Sequence, residues 1–438
     1  MTSRGEPIYK TRSHAPAAAE FGRCDRVNDF ICMSEGTSNS YLIQTHQGNI
    51  LINTGMGFEA PVHQENYQSL AAVEDNSVKY VILTQGHVDH LGGVKYFRDC
   101  NAGLQVLAHE NNKEHQQYDA RLALFRQARS AFRFTDDFVD VFKRYAEHGY
   151  TQFNAQDRPT ADILFRDRYS FILGGLEIEL IGQMGAETND SLIVWLPQHK
   201  ICFTGNLFGC PFGHFPNLVT IRGDRYRDAL TCAQAAQAVL DLEPEVILYG
   251  HHEPIIGAAL VKREVTAIRD AIHHVHDETV KGMNEGKDVH TLMREIVVPQ
   301  ECEVGQGYGK VSWSVRAIWE NYAGWFKHES TTELYSVPQR AIHSDLLELA
   351  GAEALVSRAA AKFGALQHEE ALHLLDIVLS AQPDNTDAAE LSIAVHQALL
   401  EDAEISHTTG NFWLVGWLQQ QIKLLKGGQG QSLTAILQ

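Results

Sequence analysis

The chain has 438 residues, of which 44% are hydrophobic and 21% are charged, which is ordinary for a globular protein with two or three domains. Its formal net charge of −19 argues against binding to nucleic acid and against docking on an anionic membrane. No apolar run approaches the roughly 18 residues needed to cross a bilayer. We therefore expect a protein that acts on neither nucleic acid nor membrane.

The first residues of the chain and its cysteines are evidence about the cellular location of the protein. Residues 1–22 are polar, without the apolar segment of a secretion signal, and we expect an arm that lies on the body or on a partner subunit. The cysteines are scattered, odd in number and without a Cys-x-x-Cys spacing: Cys24, Cys32, Cys100, Cys202, Cys210, Cys232 and Cys302. We predict reduced thiols in a cytoplasmic protein.

Strand and helix signals then alternate along the chain. Residues 40–55 predict a hairpin that turns at Gln47-Gly48. A helix is predicted at about 60–73, followed by strands at 78–84 and 104–108. Strands separated by helices indicate a layered α/β fold. The segment 110–160 is predicted to be helical, and its phenylalanines are candidates for core packing or for a substrate pocket.

Residues 80–93, Tyr-Val-Ile-Leu-Thr-Gln-Gly-His-Val-Asp-His-Leu-Gly-Gly, carry the most chemistry. Their apolar start predicts a buried strand, and a turn with His87, Asp89 and His90 follows it. Two imidazoles and a carboxylate suit a borderline metal ion. The apolar run at 246–249 likewise ends next to His251. We expect these ligands to converge because their strands share one sheet edge.

The turn resembles the His-x-His-x-Asp-His motif of the metallo-β-lactamase superfamily, with Gln85 in place of the first His. Three stretches resemble the alkylsulfatase branch: Gly-Ala-Glu-Thr-Asn-Asp at 185–190, Asn-Leu-Val-Thr-Ile-Arg-Gly at 217–223, and Gly-His-His-Glu-Pro at 250–254. Residues 307–326 resemble the dimerisation-helix signature of that branch.

The resemblance implies an α/β fold, the αββα metallo-β-lactamase sandwich, over residues 23–270. It implies dimerisation helices over 271–335 and a homodimer. A tetratricopeptide-like, all-α helical hairpin module is expected over 336–426, with a flexible tail over 427–438. Alkylsulfatases usually carry a further domain similar to sterol carrier proteins, and we expect no counterpart in this chain.

The resemblance also implies two metals bridged by a water or hydroxide that attacks the substrate. The implied first site is Gln85, His87 and Glu187; the second is Asp89, His90 and His251; Asn206 stands at the bridging carboxylate and Asn53 behind a metal-binding His. Neutral amides replace ionisable groups at three of these positions. We therefore predict one strong zinc site, formed by Asp89, His90 and His251. The other site is predicted to be weak or absent, and iron is the alternative metal.

The substrate side of the site follows from the same resemblance. Asn217 and Arg222 would hold a sulfate, since a guanidinium is a permanently charged fork for an oxyanion. Tyr308 is a further donor, with core packing as its alternative. Asp89 would orient the attacking water, and His214 is a candidate proton donor.

Three functions stay open. The first is a metal-dependent hydrolase of a sulfate ester or another small acidic ester. The second is an iron-dependent oxygenase or redox enzyme of a biosynthetic pathway, because two histidines and a carboxylate suit Fe(II). The third is a non-catalytic relative that binds a ligand or partner.

Overall fold

The computed structural model of the chain describes residues 6–11, 18–68, 70, 75–405 and 410–427. These residues form two compact units. The first contains the described residues up to 123 and those from 138 to 321, and the second contains residues 124–137 and the described residues from 322 onward. Across all these ranges, no helix is both long enough and apolar enough to cross a membrane.

Two β-sheets lie in the first unit. The strands of the first sheet are neighbours in chain order: β1 (Asp25–Arg26), β2 (Ile31–Ser34), β3 (Ser40–Thr45), β4 (Gly48–Ile52), β5 (Val78–Ile82), β6 (Gln105–His109) and β7 (Ile163–Phe165). Those of the second sheet, from edge to edge, are β13 (Ile255–Ile256), β12 (Val246–Tyr249), β11 (Ile201–Gly205), β10 (Leu192–Leu196), β9 (Leu176–Gly182) and β8 (Arg168–Leu173). The hairpin predicted at 40–55 is β3 and β4, with Thr45 opposite Gly48.

Helices connect and follow the strands. In the first third of the chain they are α1 (Ala60–Gln68), α2 (Val88–Leu91), α3 (Val94–Cys100), α4 (Asn112–Arg121) and α5 (Ala123–Glu147). After the second sheet begins they are α6 (Ala229–Asp241), α7 (Ala258–Asn284), α8 (Val289–Glu295) and α9 (Val311–Ala323). The remaining helices are α10 (His343–Ala350), α11 (Ala352–Gly364), α12 (His368–Ala381), α13 (Thr386–Ile405) and α14 (Phe412–Lys426).

The two sheets pack face to face because the side chains of their strands alternate between two apolar layers. In β4, Ile50 and Ile52 point into the core between the sheets, whereas Leu51 belongs to the core on the outer face. In β10, Val194 faces the inner core and Ile193 the outer one. Helices α1 and α3 contribute side chains to the outer core of the first sheet, and α6, α7 and α9 to that of the second. The predicted αββα sandwich is confirmed.

The second unit is helical. Helices α10 to α13 share an apolar core in which α12 contributes Ala371, Leu375 and Val378, residues spaced so that they lie on one face of a helix. Phe132 and Phe134 of α5 pack on Trp413 of α14. The predicted boundary at residue 270 falls inside α7, and the domain limits stay predictions. Within the predicted tail, residues 428–438 lie outside the described residues, as do 1–5 and 12–17 of the predicted arm.

One prediction about the cysteines is wrong. Cys24 and Cys32 form a disulfide, with Cα atoms 6.1 Å apart. The antiparallel pairing of β1 and β2 brings the two residues together, with Arg26 opposite Cys32. The other five cysteines are not in disulfides. The predicted cytoplasmic location rested on reduced thiols throughout, and it loses that support because disulfides are typical of oxidising compartments.

Candidate metal centre

The turn after β5 can form only because small residues allow close packing. A Cβ on Gly86 would lie 2.8 Å from the ring of His115, and one on Gly93 would lie 2.6 Å from the backbone oxygen of Thr54. The backbone N–H of His90 donates to the carbonyl of His87 and closes the first turn of α2. The chain therefore leaves the strand with Asp89 and His90 held on one short helical turn.

Asp89, His90 and His251 come together at this turn. One ligand atom from each lies within 4.8 Å of the other two. Asp89 Oδ2 is 3.5 Å from Nε2 of His90 and 3.8 Å from Nε2 of His251. No other such group of His, Cys, Asp and Glu occurs among the residues that the structure describes.

The expectation that these ligands share one sheet edge is wrong. β5 belongs to the first sheet and β12, which precedes His251, belongs to the second. The ligands meet because both strands end at the same rim of the sandwich. Asn39, just before β3 of the first sheet, connects it to the segment that follows β12 of the second. Its backbone N–H donates to the carbonyl of Gly250 (2.6 Å), and its side-chain amide donates to the carbonyl of His252 (2.8 Å).

The two histidines of the turn and His251, which follows β12, are held neutral. Burial lowers the pKa of His90 and that of His251 to about 3, and it lowers the pKa of His87 well below its ordinary value. Burial is the largest cause in each case, since a charged imidazole loses its hydration in the interior. Neutral imidazole is the form that ligates metals.

Each of the three neutral amides lies against one of these histidines. Nδ2 of Asn53 is 2.9 Å from Nδ1 of His90, and Nε2 of Gln85 is 2.8 Å from Nδ1 of His87. In the third pair, Asn206 Nδ2 is 2.9 Å from His251 Nε2. All six side chains are buried. The three amide positions therefore all act on the histidines of the centre.

Glu187, implied as a ligand of the first site, is paired with a cation. Its Oε2 lies 2.9 Å from Nη1 of Arg227, and both side chains are buried. Burial raises the pKa of Glu187 to about 7, and the positive charge of Arg227 opposes that rise. Nη1 of Arg227 also donates to the carbonyl of Asn217 at 2.6 Å.

These contacts test whether a metal fits. The Asp89, His90 and His251 set fits one ion: it offers two neutral imidazoles and a carboxylate, and Nε2 of His90 is buried with no hydrogen-bond partner among the described residues. The set of Gln85, His87 and Glu187 does not fit a second one, because its carboxylate is paired with Arg227 and an amide, that of Gln85, stands where a second imidazole would be.

The predicted substrate residues surround the Glu187–Arg227 pair. Burial raises the pKa of both Glu187 and Asp89, and the positive charge of Arg222 opposes that rise at each carboxyl. Burial raises the pKa of the Tyr308 phenol, and the negative charge of Glu187 adds to that rise. Two cationic side chains and a neutral phenol therefore lie close to the candidate metal ligands.

Arg227 and His214 make contacts that the sequence does not predict. Arg227 stands five residues after Arg222, beyond the stretch 217–223; a buried Glu187 requires a cation, but the sequence does not say which Arg reaches it. His214, the candidate proton donor, is buried, and its Nδ1 accepts from the N–H of Gly307 at 2.9 Å. Its ring packs on Tyr9, so its contacts fix the loop that leads to Tyr308.

Comparison with known proteins agrees with this architecture. Residues 33–251 match the metallo-beta-lactamase superfamily, and residues 292–421 match the family described as alkyl sulfatase dimerisation. The chain belongs to the metallo-β-lactamase superfamily. Its relatives within the superfamily include alkylsulfatases, which confirms the resemblance to that branch.

A linear primary-alkylsulfatase of Pseudomonas sp. is 25% identical over 337 residues, which cover 73% of this chain and 62% of that protein. An alkyl/aryl-sulfatase of Saccharomyces cerevisiae is 26% identical over 363 residues, or 78% of this chain and 55% of that protein. The chain thus spans little more than half the length of these relatives. The structure of the inverting sec-alkylsulfatase Pisa1 from Pseudomonas sp. has the same fold, with a TM-score of 0.78, 21% identity, and coverage of 93% of this chain and 66% of that one.

Proposed function

We propose that the protein is a metal-dependent hydrolase that cleaves a sulfate ester or a similar small acidic ester. The observation that carries this proposal is the group formed by the half-buried Asp89 and the buried His90 and His251, with ligand atoms within 4.8 Å of one another. The alkylsulfatase relatives support sulfate as the acidic group.

The roles follow from the chemistry of the side chains. Asp89, His90 and His251 would hold one divalent ion, for which zinc is our first choice. When bound, such an ion supplies Lewis-acid activation of water at neutral pH. Asp89, whose pKa is raised by burial, also orients the water, and the guanidinium of Arg222 holds the anionic group of the substrate.

The groups around Arg222 complete the anion site in this proposal. Asn217 Nδ2 is a buried donor with no hydrogen-bond partner among the described residues, and it supplies a donor to the sulfate. Tyr308 stays protonated because its pKa is raised, so it donates rather than repels. Arg227 acts through Glu187 and Asn217 and is a positioning residue.

We further propose that the protein works as a homodimer. The match to the alkyl sulfatase dimerisation family supports this. So do large apolar side chains exposed in the second unit, among them Trp325 (69% exposed), Tyr335 (72%) and Leu349 (85%). Sedimentation of the full chain would show the dimer, and a double variant with Tyr335→Ser and Leu349→Asp should weaken it.

Sulfate release tests the hydrolase proposal. The zinc-loaded protein is expected to release inorganic sulfate from a medium-chain alkyl sulfate. His90→Ala should abolish this activity, while His273→Ala, an exposed histidine of α7, should leave it unchanged. Release that survives His90→Ala, or no release from any alkyl or aryl sulfate by fully loaded protein, would contradict the proposal.

The alternative is an iron-dependent oxygenase, and one observation favours it: two histidines and one carboxylate form the group that Fe(II) oxygenases use. Metal analysis of protein purified without added metal separates the two proposals. Bound iron together with oxygen uptake supports the oxygenase, and bound zinc with sulfate release supports the hydrolase.

A further inference from the structure

Two of the three amides at the centre have an orientation that the backbone fixes. Oδ1 of Asn53 accepts from the backbone N–H of Thr84 at 3.0 Å. Oε1 of Gln85 accepts from the backbone N–H of Asn206 at 3.1 Å. A backbone N–H is only a donor, so the atom facing it must be the oxygen of the amide. Exchanging the positions of the oxygen and the NH₂ group in either amide would leave a buried backbone N–H group unpaired.

The NH₂ ends of both amides must therefore face the histidines. Asn53 Nδ2 is 2.9 Å from His90 Nδ1, and Gln85 Nε2 is 2.8 Å from His87 Nδ1. A neutral imidazole has one donor and one acceptor nitrogen. Since each Nδ1 receives an N–H from an amide, Nδ1 is the acceptor and the ring proton lies on Nε2.

We propose that Asn53 and Gln85 are tautomer-setting residues, which hold His90 and His87 with the proton on Nε2 and thereby weaken metal binding at the centre. His90 is the critical case, because its Nε2 is the atom that lies 3.5 Å from Asp89. A protonated Nε2 has no lone pair for a metal, so binding must break the contact between Asn53 and His90.

A carboxylate at position 53 would have the opposite effect. One oxygen could still accept from the N–H of Thr84, and the other would accept a hydrogen bond from the Nδ1–H of His90. That hydrogen bond leaves Nε2 free and makes it a better ligand, as partners behind a metal-binding histidine do. Ser38 Oγ, 3.1 Å from Nδ1 of His90, can act as donor or acceptor, so it is compatible with both tautomers.

This inference concerns the metal set of the proposed hydrolase and so rests on the proposed function, but its first measurement needs no metal. Two-bond ¹H–¹⁵N spectra of histidine-labelled, metal-free protein distinguish the two tautomers. His90→Gln identifies the signals of His90. We expect the Nε2–H pattern for His90 in the unaltered protein and the Nδ1–H pattern in Asn53→Asp.

The second measurement is the affinity for zinc, by competition with a chelating indicator. Asn53→Asp should bind zinc about 10–100-fold more tightly, the range over which such outer partners act. The matched control is Asn49→Asp: Asn49 is also buried, lies on β4, and donates to the carbonyl of Asn76 instead of to a histidine. It adds the same charge nearby without touching the imidazole.

A second variant at position 53 keeps the inference testable if Asn53→Asp does not fold. The backbone of Asn53 has a φ of 58°, which glycine adopts without strain. Asn53→Gly removes the NH₂ group and lets Nδ1 of His90 donate to Ser38, so it should tighten zinc binding several-fold and shift the tautomer.

The inference is overturned if His90 carries its proton on Nδ1 in the unaltered protein. It is also overturned if folded Asn53→Asp and Asn53→Gly bind zinc no more tightly than Asn49→Asp. Sulfate release separates this result from the proposed function. If tautomer and affinity change as expected but no sulfate is released, the hydrolase proposal fails and the inference stands. If sulfate is released and neither quantity changes, the inference fails alone.

Discussion

The two ligand sets at the rim of the sandwich differ in what their side chains already contact. In the set of Asp89, His90 and His251, the three ligand atoms face one another within 4.8 Å. In the other set, Glu187 is 2.9 Å from Arg227, and an amide of Gln85 faces His87. The set of Asp89, His90 and His251 gains from a cation between its members, whereas the carboxylate of the other set already has a cation, Arg227.

This difference shows that a ligand pattern in a sequence does not define a metal site by itself. Glu187 is a good ligand by residue type, yet its charge is neutralised by a buried guanidinium. The neutral amides also do more than remove charge, because their orientation decides which nitrogen of a neighbouring imidazole carries the proton. What a residue can bind depends on which partner it already has.

The difference between the two ligand sets is tested most strongly by removing one histidine from each set. His251→Ala is expected to abolish zinc binding, since only Asp89 and His90 of that set remain. His87→Ala should lower zinc affinity far less, because His87 does not belong to the gathered group. Titration with a chelating indicator measures both. Equal losses in the two variants would mean that both sets share the metal.

Arg227 sets the state of Glu187, and its removal tests that pairing. Arg227→Ala leaves a buried carboxylate without its cation, which should lower the free energy of unfolding by about 3–5 kcal/mol. Urea denaturation of metal-free protein measures the loss. Arg225→Ala is the control: its ion pair with Glu114 is exposed and should contribute about 1 kcal/mol or less. Similar losses would show that the buried pair has no special role.

His63 is a buried histidine outside both sets, and it isolates the effect of burial. Burial lowers its pKa from 6.5 to about 3. Between these values the unfolded chain binds a proton that the folded chain excludes, so His63 makes stability rise with pH from about 3 to 6.5 and adds no slope above that.

His63→Gln should therefore reduce the slope of stability against pH in that window by at most about 1.4 kcal/mol per pH unit. Urea denaturation between pH 4.5 and 7 measures it, with exposed His273→Gln as the control. An unchanged slope would show that His63 does not exclude a proton when the chain folds.

The smallest effect is expected from restoring an imidazole at position 85. Gln85→His adds a ligand beside His87 but leaves Glu187 paired with Arg227, so the zinc stoichiometry at modest zinc concentration should not change. Metal analysis after gel filtration measures it, and a second bound zinc would show that the pair opens readily.

The sequence by itself determined the elements and the local chemistry. Alternation of apolar side chains predicts the hairpin of β3 and β4, and an apolar strand followed by His87, Asp89 and His90 predicts a metal-binding turn. These signals are local, since strand periodicity and turn residues depend on neighbours along the chain. The motifs also carried the resemblance to the alkylsulfatases, which the comparisons confirm.

Only the tertiary structure decided how these parts act on one another. His251 reaches Asp89 because two different sheets end at one rim, and Arg227 rather than Arg222 pairs with Glu187. The orientation of Gln85 depends on a backbone N–H 121 residues away. Such contacts follow from packing between distant segments, and no periodicity or spacing in the sequence encodes which partner a buried polar group will find.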